Sequence, residues 1–381
     1  MKSPAFAPHT PEPTAAEFNR RGLFVGGSPK SGTTLLLALL DGHPELVVLP
    51  EETHFLEHRR KDRARGDATA RLHRMLAHPA MQMLQPQKCA PPREALGHDA
   101  RDYLDFDYSQ FVQRAEHFAR QPGMNDSLLL SETIRAYAIT MGYPWQDCVR
   151  WVEKTPSNVA CSDELFRLFP EARLIQMVRD PRAVYASRRR RLTLRYGSHT
   201  KAHRLVREWN QCSRQIARHQ TDPQRYLLVR YEDLVRRSQP VLEQICAFAG
   251  IRFHSSLLQP TRGGRPWQGN STFYEAFAGI DAHPVDHWQQ DLTPDEIWWI
   301  ELHCRAGMAL AGYELFTDAD FSFPRWAKRL PGESWMGYLR ARRGSLSQRA
   351  GLLTDCRYDV PTPPAFAQRK LQADPAATEA G

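Results

Sequence analysis

The chain has 381 residues, 41% of them hydrophobic, with nine Trp, a composition that argues against a disordered chain and fits one large domain with insertions or two domains sharing a core. The formal net charge of +8 suits anionic ligands, but Lys and Arg are spread along the chain without an RNP, zinc-finger or helix-turn-helix signature, which argues against nucleic acid. Seven Cys without a C-x-x-C pair argue against a disulfide framework or thiolate zinc site; with no apolar run of about 18 residues and no signal-peptide core, a soluble, cytoplasmic protein with no transmembrane segment is expected.

Residues 1–20 read as a flexible N-terminal arm. Leu23-Phe24-Val25 then reads as a short buried strand, Gly26 to Ser31 as a tight loop and Gly32 onward as a helix, a layout whose backbone N–H groups cradle phosphate. Gly27 to Thr34 matches the nucleoside-triphosphate loop G-x-x-x-x-G-K-[ST] except that Thr33 stands in the lysine position. Without that lysine a kinase or NTPase is disfavoured. The lysine present is Lys30, three residues earlier.

Leu35 to Leu40 are apolar on every side, which predicts a central buried helix stopped by Gly42 and Pro44. Leu46 to Leu49 then form a second strand that delivers Glu51 and Glu52 back towards the loop. Residues 57–147 read as a helical insertion without a chemical motif, an acceptor-side cap. Within it Glu57 to His78 is basic, His-rich, helical and exposed, Gln85 to His98 Pro-rich and irregular, and Arg101 to Arg120 and Ser127 to Met141 apolar at helical spacing. Its Tyr103, Phe106, Tyr108, Tyr137, Tyr143 and Trp145 suit either an acceptor pocket or core packing.

From Cys148 strands alternate with helices. The strands are Val149 to Val152, Leu174 to Val178 and Tyr226 to Val229, with helices near Cys161 to Leu168, from Pro181, through about Gln220 and from Pro294 to Ala311. This alternation predicts an α/β fold with a parallel sheet covered on both faces. Ligands of such sheets sit at the carboxyl ends of the strands, where the polar stretches Ser28 to Thr34, Glu51-Glu52, Glu153 to Pro156, Arg179-Asp180-Pro181 and Tyr231-Glu232-Asp233 fall. The domain is expected over 21–325, followed by a C-terminal extension, 326–381, with a disordered tail from Pro361.

Arg179 closes its strand, Asp180 caps the next helix and Pro181 opens it. Ser187 lies nearly two turns on and projects to the cap's side, so Arg179 and Ser187 suit one phosphate; the bland alternative pairs Arg179 with a structural carboxylate and turns Ser187 to solvent.

Together these motifs resemble the 3′-phosphoadenosine-5′-phosphosulfate (PAPS)-dependent sulfotransferases, most closely the branches acting on protein tyrosine or heparan sulfate and their bacterial relatives. Ser28 through Pro29, Lys30, Ser31, Gly32, Thr33 and Thr34 is similar to that family's 5′-phosphosulfate loop, and Val178-Arg179-Asp180-Pro181 through Ser187 to its 3′-phosphate motif. Glu153 to Pro156, Arg230 to Leu234 and Gly269-Asn270-Ser271 through Trp288 follow in family order.

The resemblance implies a P-loop NTPase-like sheet flanked by helices, with PAPS as donor, adenosine 3′,5′-bisphosphate as product, no metal, and a hydroxyl-bearing acceptor. It further implies that Tyr231 packs on the adenine, that Asn270 and Ser271 belong to a closing loop, and that Glu52 is the base, with His54 secondary. Lys30 and Lys154 would offset charge on the leaving oxygen. The tyrosine-specific branch usually has Arg at the Lys30 position, and the insertion matches no branch, so the acceptor stays open among tyrosine, sugar, lipid and small alcohol.

Three other readings compete. His54-Phe55-Leu56-Glu57-His58 spells H-x-x-E-H, an inverted zinc-protease motif. A P-loop kinase shares cradle loops, and a non-catalytic nucleotide-binding protein would be expected to have lost Lys30 or Glu52. The run Arg188 to Arg191 reads as a solvated helix face or a surface for an anionic acceptor or membrane.

Overall fold

In the structure, a computed structural model, residues 12–61, 66–85, 105–145, 147–196, 202–267, 269, 279–282 and 285–317 are described. Asn270, Ser271, Tyr103, most of the Pro-rich stretch and the extension 326–381 lie outside the described residues.

Five strands, β1 (Gly22–Gly27), β2 (Leu46–Val48), β3 (Arg150–Lys154), β4 (Arg173–Val178) and β5 (Tyr226–Arg230), form one parallel sheet in the order β2-β3-β1-β4-β5. Val25 is opposite both Lys154 and Ile175, and Val178 is opposite Arg230, so the carboxyl ends of the strands finish at one edge. Strands buried on both faces read as unbroken apolar runs, which is why Leu23-Phe24-Val25 was legible without alternation.

Successive side chains of a strand point to opposite faces, and the two faces carry separate cores. Leu23, Val25, Val152, Ile175 and Met177 pack with Leu35 to Leu40 of the helix Thr33–Leu40 and with the helix Ser238–Ala249. On the other face Phe24, Val47, Trp151 and Leu174 pack with the helices Tyr108–Ala119 and Asp126–Met141. A third core joins the helices Pro181–Tyr196, Ala202–His219 and Pro294–Leu310. No helix among the described residues is long and apolar enough to cross a membrane, and the five described cysteines are buried and free.

The structure departs from two sequence expectations. Residues 12–20 are not a loose arm: a capping box between Thr14 and Glu17 starts the helix Ala15–Asn19, Phe18 is fully buried, and the Phe18 carbonyl accepts a 2.7 Å bond from Trp151 Nε1. Nor is the stretch 57–78 simply exposed. Its helix Ala68–Leu76 buries Leu72, Met75 and Leu76, because the few apolar residues among the charges fall at helical spacing and form one stripe.

The described aromatic residues of the insertion that the sequence left open are core. Phe106 and Tyr137 are buried in the same cluster as Trp151, and Tyr108, Tyr143 and Trp145 pack against it.

Candidate active site

The loop after β1 is shaped by close approaches. A Cβ on Gly27 would lie 2.4 Å from the Met177 carbonyl oxygen, so only glycine fits there. Ser31 closes the turn, its N–H and Oγ both donating to the Ser28 carbonyl at 3.1 and 2.7 Å. Lys30 (φ 76°) and Gly32 (φ 89°) are both left-handed, and for lysine that conformation costs about 1–2 kcal/mol.

Gly32 is the N-cap of the helix Thr33–Leu40 and brings no side-chain cap. First-turn N–H groups without a side-chain cap favour an anion in front of them. Pro29 is exposed at the tip, Ser31 and Thr33 are buried, and Thr34 is half-buried at the sheet edge.

Two strands away, the chain leaving β2 returns Glu51, Glu52, Thr53 and His54 to this edge. Lys154, the last residue of β3 and almost wholly buried, forms a direct ion pair with Glu52 Oε1 and lies 3.5 Å from Thr34 Oγ1. The other Glu52 oxygen is 3.1 Å from His54 Nε2, and His54 Nδ1 is 3.5 Å from Glu57 Oε1. Burial opposes the charge on Glu52, but the His54 hydrogen bond and the Lys154 ammonium outweigh it and hold the carboxyl down at about 2. Burial likewise opposes protonation of His54, yet its bonds to Glu52 and Glu57 raise it to about 9.

A neutral-pH site of this kind contains an ionised carboxylate between two cations. The His54 ring also stacks on His78 at 4.1 Å between centroids. Among the described residues no group of three or more His, Cys, Asp or Glu side chains is placed to hold a metal ion; in the H-x-x-E-H stretch, His54 and Glu57 face each other.

On the other side of β1, Arg179 follows β4 and is 9% exposed. Its guanidinium lies over the Tyr231 ring, 4.4 Å from the centroid, and Nη1 donates to the Lys30 carbonyl at 3.4 Å. Its buried Nε has no hydrogen-bond partner, and among the described residues no carboxylate pairs with it. The neighbouring Arg182 takes the carboxylates instead, bound to Asp180 and Glu301. An orphaned, buried guanidinium N–H is costly unless a ligand satisfies it, and a phosphate fits that need.

The Arg179 turn is held from behind. Trp209 Nε1 donates to the Arg179 carbonyl at 2.9 Å, Asp180 N–H donates to Glu232 Oε1 at 3.0 Å, and Tyr313 donates to Glu232 Oε2 at 2.7 Å. Tyr231 in turn packs on the loop: a Cβ on Gly32 would lie 2.4 Å from Tyr231 Cδ2. Ser187 is buried in the helix Pro181–Tyr196, not turned to solvent.

Arg188 and Arg189 form neither a solvated face nor an open anion surface. Arg188 pairs with Glu208 at 2.6 Å and Arg189 with Glu296 at 2.6 Å, all four partly or largely buried.

Two sets of contacts escaped sequence reasoning, although Glu153 and Glu232 stand in stretches it singled out. One is the Trp209, Glu232 and Tyr313 support behind Arg179. The other is Glu153, 1% exposed, which accepts bonds from Thr53, Thr155 and Asn158. The available signal was a carboxylate directly after the apolar pair Trp151-Val152 in a strand expected to be buried, since such a group must be paired.

The sulfotransferase family model matches residues 22–255. Similar characterised proteins include a protein-tyrosine sulfotransferase 2 from Gallus gallus, 26% identical over 241 residues, covering 62% of this chain and 53% of that one. A carbohydrate sulfotransferase 1 from Homo sapiens is 29% identical over 167 residues, covering 39% of this chain and 40% of that one. The chain thus spans about half the length of the curated relatives it matches. Among solved structures, the sulfotransferase domain from the curacin biosynthetic pathway matches with a TM-score of 0.46 and 21% identity, covering 77% of this chain and 98% of that one. With the family model spanning more than half of its length and including the loop, the carboxylate pair and the Arg179 turn, the chain belongs to the sulfotransferase family.

Proposed function

We propose that the chain moves the sulfuryl group of PAPS to a hydroxyl acceptor, with Glu52 as general base. The observation that carries this reading is the position of Glu52: ionised, held between Lys154 and His54, and at the same sheet edge as the glycine loop and the unpartnered Arg179 Nε.

The loop Pro29 to Thr34 would hold the 5′-phosphosulfate, and Arg179 with Ser187 the 3′-phosphate. Tyr231 would carry the adenine, with Asn270 and Ser271 completing the site. When bound, PAPS supplies the activated sulfuryl group and a bisphosphate leaving group.

The chain's own residues do the rest. Glu52 takes the acceptor hydroxyl proton as the oxygen attacks sulfur in line. Lys30 and Lys154 offset charge on the departing oxygen. A carboxylate held at about 2 by two cations is a weak base; attraction of the Lys154 ammonium towards an anionic donor would raise the proton affinity of Glu52. Donor binding and base strength would therefore reinforce each other. His54, held at about 9, keeps Glu52 oriented.

The names of the relatives point to tyrosine and carbohydrate hydroxyls as acceptor classes. Incubation with radiolabelled PAPS and a panel of tyrosine peptides, oligosaccharides and small alcohols tests the reading: label should pass to at least one class without added metal. The kinase alternative requires Mg²⁺-dependent ATP binding instead, which Thr33 in the lysine slot disfavours. A non-catalytic binder would hold the bisphosphate and transfer nothing.

A further inference from the structure

Glu153 and Thr155 flank Lys154, and their side chains reach into the segment that carries Glu52 and His54. Glu153 Oε1 accepts from Thr53 N–H at 3.2 Å, from Thr53 Oγ1 at 2.8 Å and from Thr155 Oγ1 at 2.6 Å. Its Oε2 accepts from Asn158 Nδ2 at 2.6 Å, and the same amide reaches the Val25 carbonyl of β1 at 3.4 Å. Thr155 Oγ1, oriented by its donation to Glu153, accepts the His54 N–H at 3.2 Å. Thr53 Oγ1 similarly accepts the Phe55 N–H, at 3.2 Å, where the helix Phe55–Lys61 begins.

This connection matters because His54 has φ 49°, a left-handed backbone that a non-glycine residue keeps only when its surroundings over-determine it. The bond from the His54 N–H to Thr155 and the two Thr53 bonds to Glu153 supply that determination from both sides. Three strand ends are thereby locked together around one buried carboxylate, and none of those bonds belongs to the sheet ladder.

We propose that Glu153 and Thr155 are positioning residues of the transfer reaction, fixing the Thr53-His54 backbone so that the His54 ring meets Glu52 and the Glu52 carboxylate meets Lys154. The proposal rests on the reading of Glu52 as base. Neither residue contacts donor or acceptor in this scheme. Their effect passes through His54 and Glu52, and a displacement of about 1 Å there can lower turnover on the order of 10²-fold.

The test compares Thr155→Val, which removes the hydroxyl at nearly constant shape, with Thr155→Ser, which restores it; Glu153→Gln serves as a second site. Three quantities are read: adenosine 3′,5′-bisphosphate affinity, kcat separately from KM, and the titration of the His54 imidazole by NMR. The groups facing that imidazole are Glu52 and Glu57, the His78 ring with His58 behind it, and Lys154 across Glu52.

Thr155→Val is expected to keep bisphosphate affinity within about threefold, to lose at least about tenfold in kcat, and to shift the His54 midpoint down by about one pH unit or more. Thr155→Ser should return both towards wild type. An unshifted His54 midpoint in Thr155→Val would overturn the proposal, as would a shift accompanied by loss of bisphosphate binding, which marks a general structural role. If the wild-type chain transfers no sulfuryl group at all, the function reading fails, and the His54 titration still decides the positioning claim.

Discussion

The guanidinium of Arg179 rests on the face of Tyr231, 4.4 Å from the ring centroid, with its Nε buried and without a partner. The ring fixes the plane of the guanidinium, and in the proposed function the N–H without a partner would meet the 3′-phosphate. Arg179→Ala should weaken adenosine 3′,5′-bisphosphate binding roughly 10- to 100-fold, the loss of one charge-assisted hydrogen bond of about 1.5–3 kcal/mol. Arg179→Lys should rescue little, because an ammonium lacks the planar fork and stacks less well. Calorimetric titration with the bisphosphate reads both.

Gly32 joins the two halves of the proposed nucleotide site. Its φ of 89° is strained for any residue with a Cβ, and that Cβ would lie 2.4 Å from Tyr231 Cδ2. Gly32→Ala should cost more than about 1 kcal/mol of stability and displace Tyr231, so that bisphosphate affinity falls as well. Urea unfolding and calorimetry together check this. Wild-type affinity in a destabilised Gly32→Ala protein would separate the ring from the site.

The Glu52 and His54 pair predicts a pH window. Folding holds Glu52 at about 2 against an ordinary 4.5, so its contribution to stability is full above pH 4.5 and is lost as pH falls towards 2. Folding raises His54 to about 9 from 6.5, so its contribution is full below pH 6.5 and is lost as pH rises towards 9. Both are complete between pH 4.5 and 6.5. Relative to His54→Gln, the wild-type urea midpoint should therefore decline as pH is raised from 6.5 to 9. Parallel midpoints for the two proteins over that range would remove the pair from the account.

What was legible in the sequence followed from local pattern. The glycine loop, the apolar helix after it and the five strand ends could be placed because a buried parallel strand, a tight turn and a capped helix each leave a contiguous trace. Glu52 and Lys154 stood out by the same route only as members of polar strand ends, and the family resemblance supplied the roles expected of them. The role of Glu153 was not legible, because its partner Thr53 lies 100 residues away and nothing local says which buried donor a carboxylate will meet. The first half of the arginine run misleads for the same reason: Arg188 and Arg189 face Glu208 and Glu296 only once the helices have packed. The helix at Phe18 leaves little trace in the sequence, because one buried aromatic ring in a polar, Pro-rich stretch is a weak periodic signal.

Whether Glu52 takes the proton of the acceptor is decided by comparing wild type with Glu52→Gln in a radiolabelled PAPS transfer assay, with bisphosphate affinity measured in parallel. The wild type should transfer label, Glu52→Gln should fall by about 10²–10⁴ in turnover, and bisphosphate binding should change little. Near-normal turnover in Glu52→Gln would rule out Glu52 as the base.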